Sequence, residues 1–210
     1  MPAHVTETNL HNARDGVTVD FYAACAPAYV ASGAGGVSRH LPSFLDLLPP
    51  KARILELGCG GGWDAAAMIA QGFDVDPTDG TPEMAKEAEE RLSRHVRVMR
   101  FDELDAVAAY DAIWANASLL HVPRNLLPQI LCRVFKALKP GGLHFASYKA
   151  GGAEGRDQYG RYFNYLSPQD VTGAYGQSGP WEVLSLDEYR GSGYDGKQGP
   201  WVALTVRRPG

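Results

Sequence analysis

Residues 54–63 constrain the fold more than any other stretch. The run Ile54-Leu55-Glu56-Leu57 breaks directly into Gly58-Cys59-Gly60-Gly61-Gly62 and then into the helix-prone Trp63-Asp64-Ala65-Ala66-Ala67. This reads as a strand–turn–helix unit, because glycine enters left-handed backbone freely and leaves room for a ligand where a Cβ would stand. The alternation then repeats along the chain. A second strand is expected at 73–78, and Thr81-Pro82-Glu83 opens a helix to about Ser93, with Thr as cap and Pro in the first turn. Further strands are expected at 96–99, 110–115 and 143–148. A helix over 123–138 carries Leu127, Ile130, Leu131, Val134, Phe135 and Leu138 on one face, and Lys139-Pro140-Gly141-Gly142 is expected to stop it. Ser167-Pro168-Gln169-Asp170 has the form of a capping box, and two closing strands are expected at 181–186 and 201–206.

Strand–helix alternation of this kind implies an α/β fold: a doubly wound, mostly parallel, seven-stranded Rossmann-like sheet with helices on both faces and an antiparallel last strand. With 210 residues the chain suits one core. We divide this single domain into a helical lid at 1–50, a cofactor-binding core at 51–149, and a C-terminal helix with closing strands at 150–210. Within the lid, residues 1 to about 16 are expected to be loose or to lie over the surface. Phe21, Tyr22, Cys25 and Tyr29 share a helical face, and a second helix over 37–48 ends at Pro49-Pro50. Ligands of such sheets sit beyond the carboxyl ends of the strands, where the strand order reverses, and the glycine loop lies there.

Charge and cysteine usage narrow the setting. A net charge of -4 offers no basic field to a nucleic acid, so none is expected as partner. Cys25, Cys59 and Cys132 form neither a disulfide framework nor a zinc motif, no metal is expected, and no signal or membrane-spanning run is evident. A cytoplasmic protein is the expectation.

The glycine loop gains meaning from Asp79, which closes the second strand about 20 residues on, where a carboxylate can accept ribose hydroxyls. A dinucleotide loop calls for a glycine at position 63, which is Trp, and no Lys-Ser or Lys-Thr follows the loop as in a phosphate-cradling P-loop. A nucleoside cofactor without phosphates explains these departures.

Residues 54–62 resemble the first motif of class I S-adenosylmethionine-dependent methyltransferases of small-molecule type. Asp79 with Thr81-Pro82-Glu83-Met84 resembles their second motif, and Phe101-Asp102 their third. Tyr110-Asp111-Ala112-Ile113-Trp114-Ala115 resembles the fourth strand, and Leu138-Lys139-Pro140-Gly141-Gly142 the helix end before the fifth. The resemblance implies S-adenosyl-L-methionine as cofactor. Gly58, Cys59, Gly60 and Gly62 would pass under its methionine part, and Glu56 would orient the amino group. Asp79 would hold the ribose, with Gly80 and Met84 flanking the adenosine and Phe101 and Asp102 fixing the adenine. Asn116, Ala117 and Leu119 would line the sulfonium, and Tyr22 and Tyr29 would cover the cofactor.

Methyl transfer demands alignment and exclusion of water more than a fixed catalytic triad. His121, between the fourth strand and the next helix, is the candidate base. Tyr148, Lys149 and Arg161 are candidates for contact with a small acceptor, the last two by clamping an acidic group. The basic run Arg91, Arg94, His95, Arg97 and Arg100 reads as a solvated helix end. Two rival readings are a cofactor-binding sensor without transferase activity and an NAD(P)-dependent oxidoreductase on a similar sheet.

Overall fold

A computed structural model describes residues 13–33 and 36–210. Seven strands form one sheet in the order β3-β2-β1-β4-β5-β9-β8, where β1 is Arg53–Leu57, β2 Asp74–Asp79, β3 Arg97–Val98, β4 Tyr110–Ala115, β5 Leu138–Lys149, β8 Glu182–Ser192 and β9 Gln198–Arg207. Strands β1 to β5 pair in parallel, and β9 runs antiparallel to both neighbours. The expected seven-stranded Rossmann-like sheet is the one found. Strand order reverses between β1 and β4, beside the glycine loop.

The period-2 alternation of the strands separates two cores. Leu55, Leu57, Ile113 and Ala115 turn to one face and pack with helices α5 (Leu127–Ala137) and α6 (Pro168–Ser178). Ile54, Ala112, Trp114 and Phe145 turn to the other, against α2 (Leu41–Leu45) and α3 (Trp63–Ala70). Trp114 and Phe145 stack with centroids 4.1 Å apart there. Helix α4 (Pro82–Leu92) follows β2, and α1 (Gly16–Ala31) lies across the glycine loop. Among the described residues, no helix is long and apolar enough to cross a membrane.

Several boundaries differ from expectation, each for a local reason. The loose segment expected at the amino terminus lies, over residues 1–12, outside the described residues. Asp15 caps α1 by accepting a hydrogen bond from the Thr18 amide at 2.8 Å, so the helix begins at Gly16. The helix expected over 37–48 is one turn, because the Asp64 carboxylate takes the Ser38 amide and Pro42 fits only in a first turn. Pro128 likewise confines α5 to a start at Leu127 rather than 123. Lys139-Pro140-Gly141-Gly142 follows the end of α5 but belongs to β5 as an irregular segment, its Gly141 amide donating to the Arg208 carbonyl. Pro77 is tolerated inside β2 because β3 pairs only with Thr78 and Asp79. A small hairpin, β6 (Gly155–Arg156) with β7 (Tyr162–Phe163), was not expected from the sequence.

Candidate functional site

The glycine loop is held by the sheet itself. Amides of Gly58 and Cys59 both donate to the Thr78 carbonyl, at 2.9 and 2.8 Å. Gly58 has φ +76°, and a Cβ there would stand 2.6 Å from the Ser118 Cβ, so only glycine lets β1 end this close to the loop after β4. Asp79, at the tip of β2, accepts from the Gly60 amide at 3.0 Å and the Thr81 amide at 2.9 Å. Each carboxylate oxygen keeps lone-pair capacity beyond these bonds. Burial raises the Asp79 carboxyl to about 6.

A cavity of about 170 Å³ opens over this loop, lined by Tyr22, Tyr29, Glu56, Gly58, Cys59, Gly60, Asp79, Gly80, Met84, Phe101, Asp102, Asn116, Ala117 and His121. These fourteen positions were all named from the sequence. Two further candidates are not on its wall. Gly62 turns away toward Ala88 and Leu92 of α4, where it admits the start of α3. Leu119 is fully buried in the core. Both corrections have the same cause: each is one peptide past the point where the chain leaves the cleft.

The cleft also holds residues that sequence reasoning missed. Asp64 accepts from the Ser38 amide at 2.7 Å and from Trp114 Nε1 at 2.8 Å, and burial raises its carboxyl. Arg100 forks onto Asp102 with bonds of 3.0 and 3.1 Å. Ser118 lines the same wall. The basic run correspondingly is not a free solvated end: Arg100 is engaged here, Arg97 pairs with Asp76, and Arg91 stacks over Trp63 at 3.3 Å. Trp63 thus packs outside the cleft.

Among the described residues, two buried oxygens in this cleft have no hydrogen-bond partner: Glu56 Oε2 and Ser118 Oγ. Buried polar atoms are normally satisfied, so this pair marks a place shaped for a polar ligand. Burial, reinforced by Asp64 and Asp79, pushes the Glu56 carboxyl well above the usual range.

A second cavity, about 440 Å³, adjoins the first and shares Tyr22, Tyr29, Asn116, Ala117 and His121 with it. At the shared wall, His121 Nδ1 lies 2.6 Å from the Tyr162 carbonyl and must carry the proton, leaving Nε2 to accept from the Tyr22 hydroxyl at 3.0 Å. The Tyr22 oxygen in turn accepts from Arg161 Nη1 at 3.1 Å. Burial lowers His121 to about 4 and raises the Tyr22 phenol. Lys149 and Arg161 line the second cavity. Tyr148, the third acceptor candidate, is a correction: it is fully buried in the core, its hydroxyl against that of Tyr175, because alternation along β5 turns it toward α6.

This sheet order, with a glycine loop after β1 and an acid ending β2, is that of the Rossmann-like methyltransferase fold. Residues 54–142 match the methyltransferase domain family. Over 105 residues the chain is 36% identical to a ubiquinone biosynthesis O-methyltransferase of Xanthomonas campestris, covering 47% of this chain and 43% of that one. Over 106 residues it is 38% identical to a trans-aconitate 2-methyltransferase of Variovorax paradoxus, covering 46% and 38%. The matched stretch is thus less than half the length of these relatives. A 1,6-didemethyltoxoflavin-N1-methyltransferase from Burkholderia thailandensis, solved with S-adenosylhomocysteine, shares the fold with a TM-score of 0.75 at 17% identity, over 100% of this chain and 93% of that one.

Proposed function

We propose that this protein transfers a methyl group from S-adenosylmethionine to a small molecule held in the second cavity. The observation that carries the reading is the pair of unpartnered oxygens, Glu56 Oε2 and Ser118 Oγ, beside the glycine loop in a cleft that opens onto a second chamber. An acceptor-only carboxylate and a hydroxyl suit the ammonium and carboxylate of a methionine moiety, and Asp79 suits a ribose diol. Two of the relatives are named for ubiquinone biosynthesis and trans-aconitate, and these names support a small acceptor over the protein substrate named for a third.

When bound, the cofactor supplies a methyl group activated by its sulfonium. Every other step falls to the chain. Asp79 and the glycine loop orient the nucleoside, and Glu56 and Ser118 the amino-acid end. Tyr22 and Tyr29 of α1 close the cleft to water. Tyr22 also offers the acceptor a proton relay. Its oxygen has a lone pair left after accepting from Arg161, and its own proton points at His121 Nε2. A neutral His121 held at about 4 is a weak base, suited to taking a proton as the acceptor atom becomes acidic on bond formation. Free cysteines at 25, 59 and 132 suit a reducing cytoplasm, and the net charge of -4 argues against nucleic acid as acceptor.

The test is calorimetric titration with S-adenosylmethionine and, separately, NADH, on the wild-type protein and on Asp79→Ala. Binding of the sulfonium compound alone, lost in the variant, is expected, followed by release of S-adenosylhomocysteine when small acceptors are supplied. Binding of NADH alone would overturn the reading.

A further inference from the structure

We propose that the second cavity is built for a planar aromatic anion, and that Lys149 is the residue that reads the negative charge. This rests on the reading that the cavity takes the methyl acceptor. Its walls are rings: Tyr29 stacks on Tyr194 with centroids 4.9 Å apart, Tyr189 stacks on Trp201 at 6.1 Å, and Phe163 lies beneath Lys149. Such walls favour a flat ligand that can stack or meet ring edges.

The charges around the chamber are not equivalent. Arg161 is spent: Asp157 accepts from its Nε at 3.0 Å and its Nη2 at 2.7 Å, and its Nη1 holds Tyr22. Arg39 is exposed and rests over the Tyr189 ring. Lys149 differs from both. Its side chain is 12% exposed, its ammonium sits 4.7 Å above the Phe163 ring, and its ion pair with Asp195 spans 3.6 Å, too long for a hydrogen bond. Among the described residues, no atom accepts a hydrogen bond from it. A ligand carboxylate or phenolate would supply the missing acceptor and displace Asp195. Asp157 is paired with Arg161 and Asp195 with Lys149, so an amine at either carboxylate would compete with a resident cation.

A second unpartnered atom lies on the same wall. Among the described residues, His40 Nε2 is buried without a hydrogen bond, and His40 lines the cavity between the Phe145 and Tyr189 rings. It offers a ring hydroxyl or carbonyl a partner. The acceptor would therefore be anchored by an anionic group at Lys149 while its attacking atom faces Tyr22 and His121 at the wall shared with the cofactor cleft.

Three probes separate the possibilities: 2-naphthoate, 2-naphthylmethylamine and cyclohexanecarboxylate, titrated into the 210-residue protein with and without saturating S-adenosylhomocysteine. The flat anion should bind at least ~10-fold more tightly than the flat cation or the puckered anion. Lys149→Met and Lys149→Gln should each weaken it by ~10-fold or more, while Asp195→Asn, which frees the ammonium, should tighten it several-fold. A purely structural Lys149–Asp195 pair would make Asp195→Asn weaken binding instead. Equal binding of amine and acid, or no change in either Lys149 variant that retains wild-type circular dichroism, would overturn the proposal and leave the cofactor reading intact. Failure to bind S-adenosylhomocysteine with the probe ranking preserved would strike the cofactor reading alone.

Discussion

Tyr22 on α1 and His121 after β4 are 99 positions apart, yet the phenol of the first donates to Nε2 of the second across 3.0 Å. The contact stands on the wall between the two cavities and joins the helix that covers the cleft to the sheet that builds it. Arg161, arriving from the β6–β7 hairpin, fixes the phenol from its other side at 3.1 Å. Three segments remote in sequence thus meet on the wall between the two cavities, where the proposed function has acceptor and cofactor face each other.

Removing the relay should therefore damage turnover more than binding. Tyr22→Phe and His121→Ala should each lower kcat by roughly 10- to 100-fold while changing cofactor affinity little. The double variant should be barely slower than either single one, because the two groups act as a unit. Steady-state rates together with calorimetric Kd values check this; additive losses would separate the two residues.

Cofactor binding should release a proton. Burial beside Asp64 and Asp79 holds the Glu56 carboxyl well above the usual range, so it is protonated in the open cleft at pH values where an ordinary glutamate is ionised. A ligand ammonium favours the ionised form and expels that proton, so affinity should rise with pH until the open-cleft carboxyl is ionised. Titrations in buffers of different ionisation enthalpy read the proton directly. Glu56→Gln should abolish the release and weaken binding by about 10- to 100-fold.

Gly58→Ala should be severe although the residue makes no side-chain contact. A methyl group would meet the Ser118 Cβ at 2.6 Å on a backbone with φ +76°. Overpacking together with left-handed strain should cost about 2–4 kcal/mol. Denaturant unfolding measures it, and a loss below 1 kcal/mol would mean that the β4 loop yields freely.

His144 makes a prediction about pH and stability. Its Nδ1 donates to the Ile113 carbonyl at 3.0 Å, its Nε2 accepts from the Tyr175 hydroxyl at 2.9 Å, and burial lowers it to about 4. The unfolded chain protonates this histidine near pH 6.5 and the folded one only near 4. Its contribution is therefore full above 6.5 and is lost as pH falls toward 4. Asp79, raised to about 6, acts in the opposite sense over the same window, so the total curve is not diagnostic. The gap between wild type and His144→Gln is, and it should shrink by roughly 2–3 kcal/mol between pH 7 and pH 4.5.

The cleft over the glycine loop was largely legible in the sequence, since its wall is built from motif ends that sit at fixed distances from strands. Glu56, Gly58, Gly60, Asp79, Phe101 and Asn116 lie where strand β1, β2 or β4, or the turn after β3, delivers them, and Met84 lies in the first turn of α4. Leu119 and Gly62 lie off the cleft wall because each is one peptide past a residue that faces it, Leu119 turning into the core and Gly62 abutting α4. The second cavity was legible only in fragments. Lys149 and Arg161 were both named as clamps, but nothing in their spacing distinguishes a cation satisfied by Asp157 from one left without an acceptor. Tyr148 failed for the period-2 reason: on β5 it faces opposite to its neighbours.

By itself the sequence determined the alternating layers, the glycine loop and the acid that ends β2, because local rules of turn geometry and hydrophobic period act within a few residues. Which cations are free, which oxygens lack partners, and which rings wall the second cavity were decided only by the tertiary structure. Those properties depend on side chains brought together from α1, the β4 loop, the β6–β7 hairpin and the β8–β9 turn. Burial and pairing are relations between such segments, and no single stretch of chain encodes them.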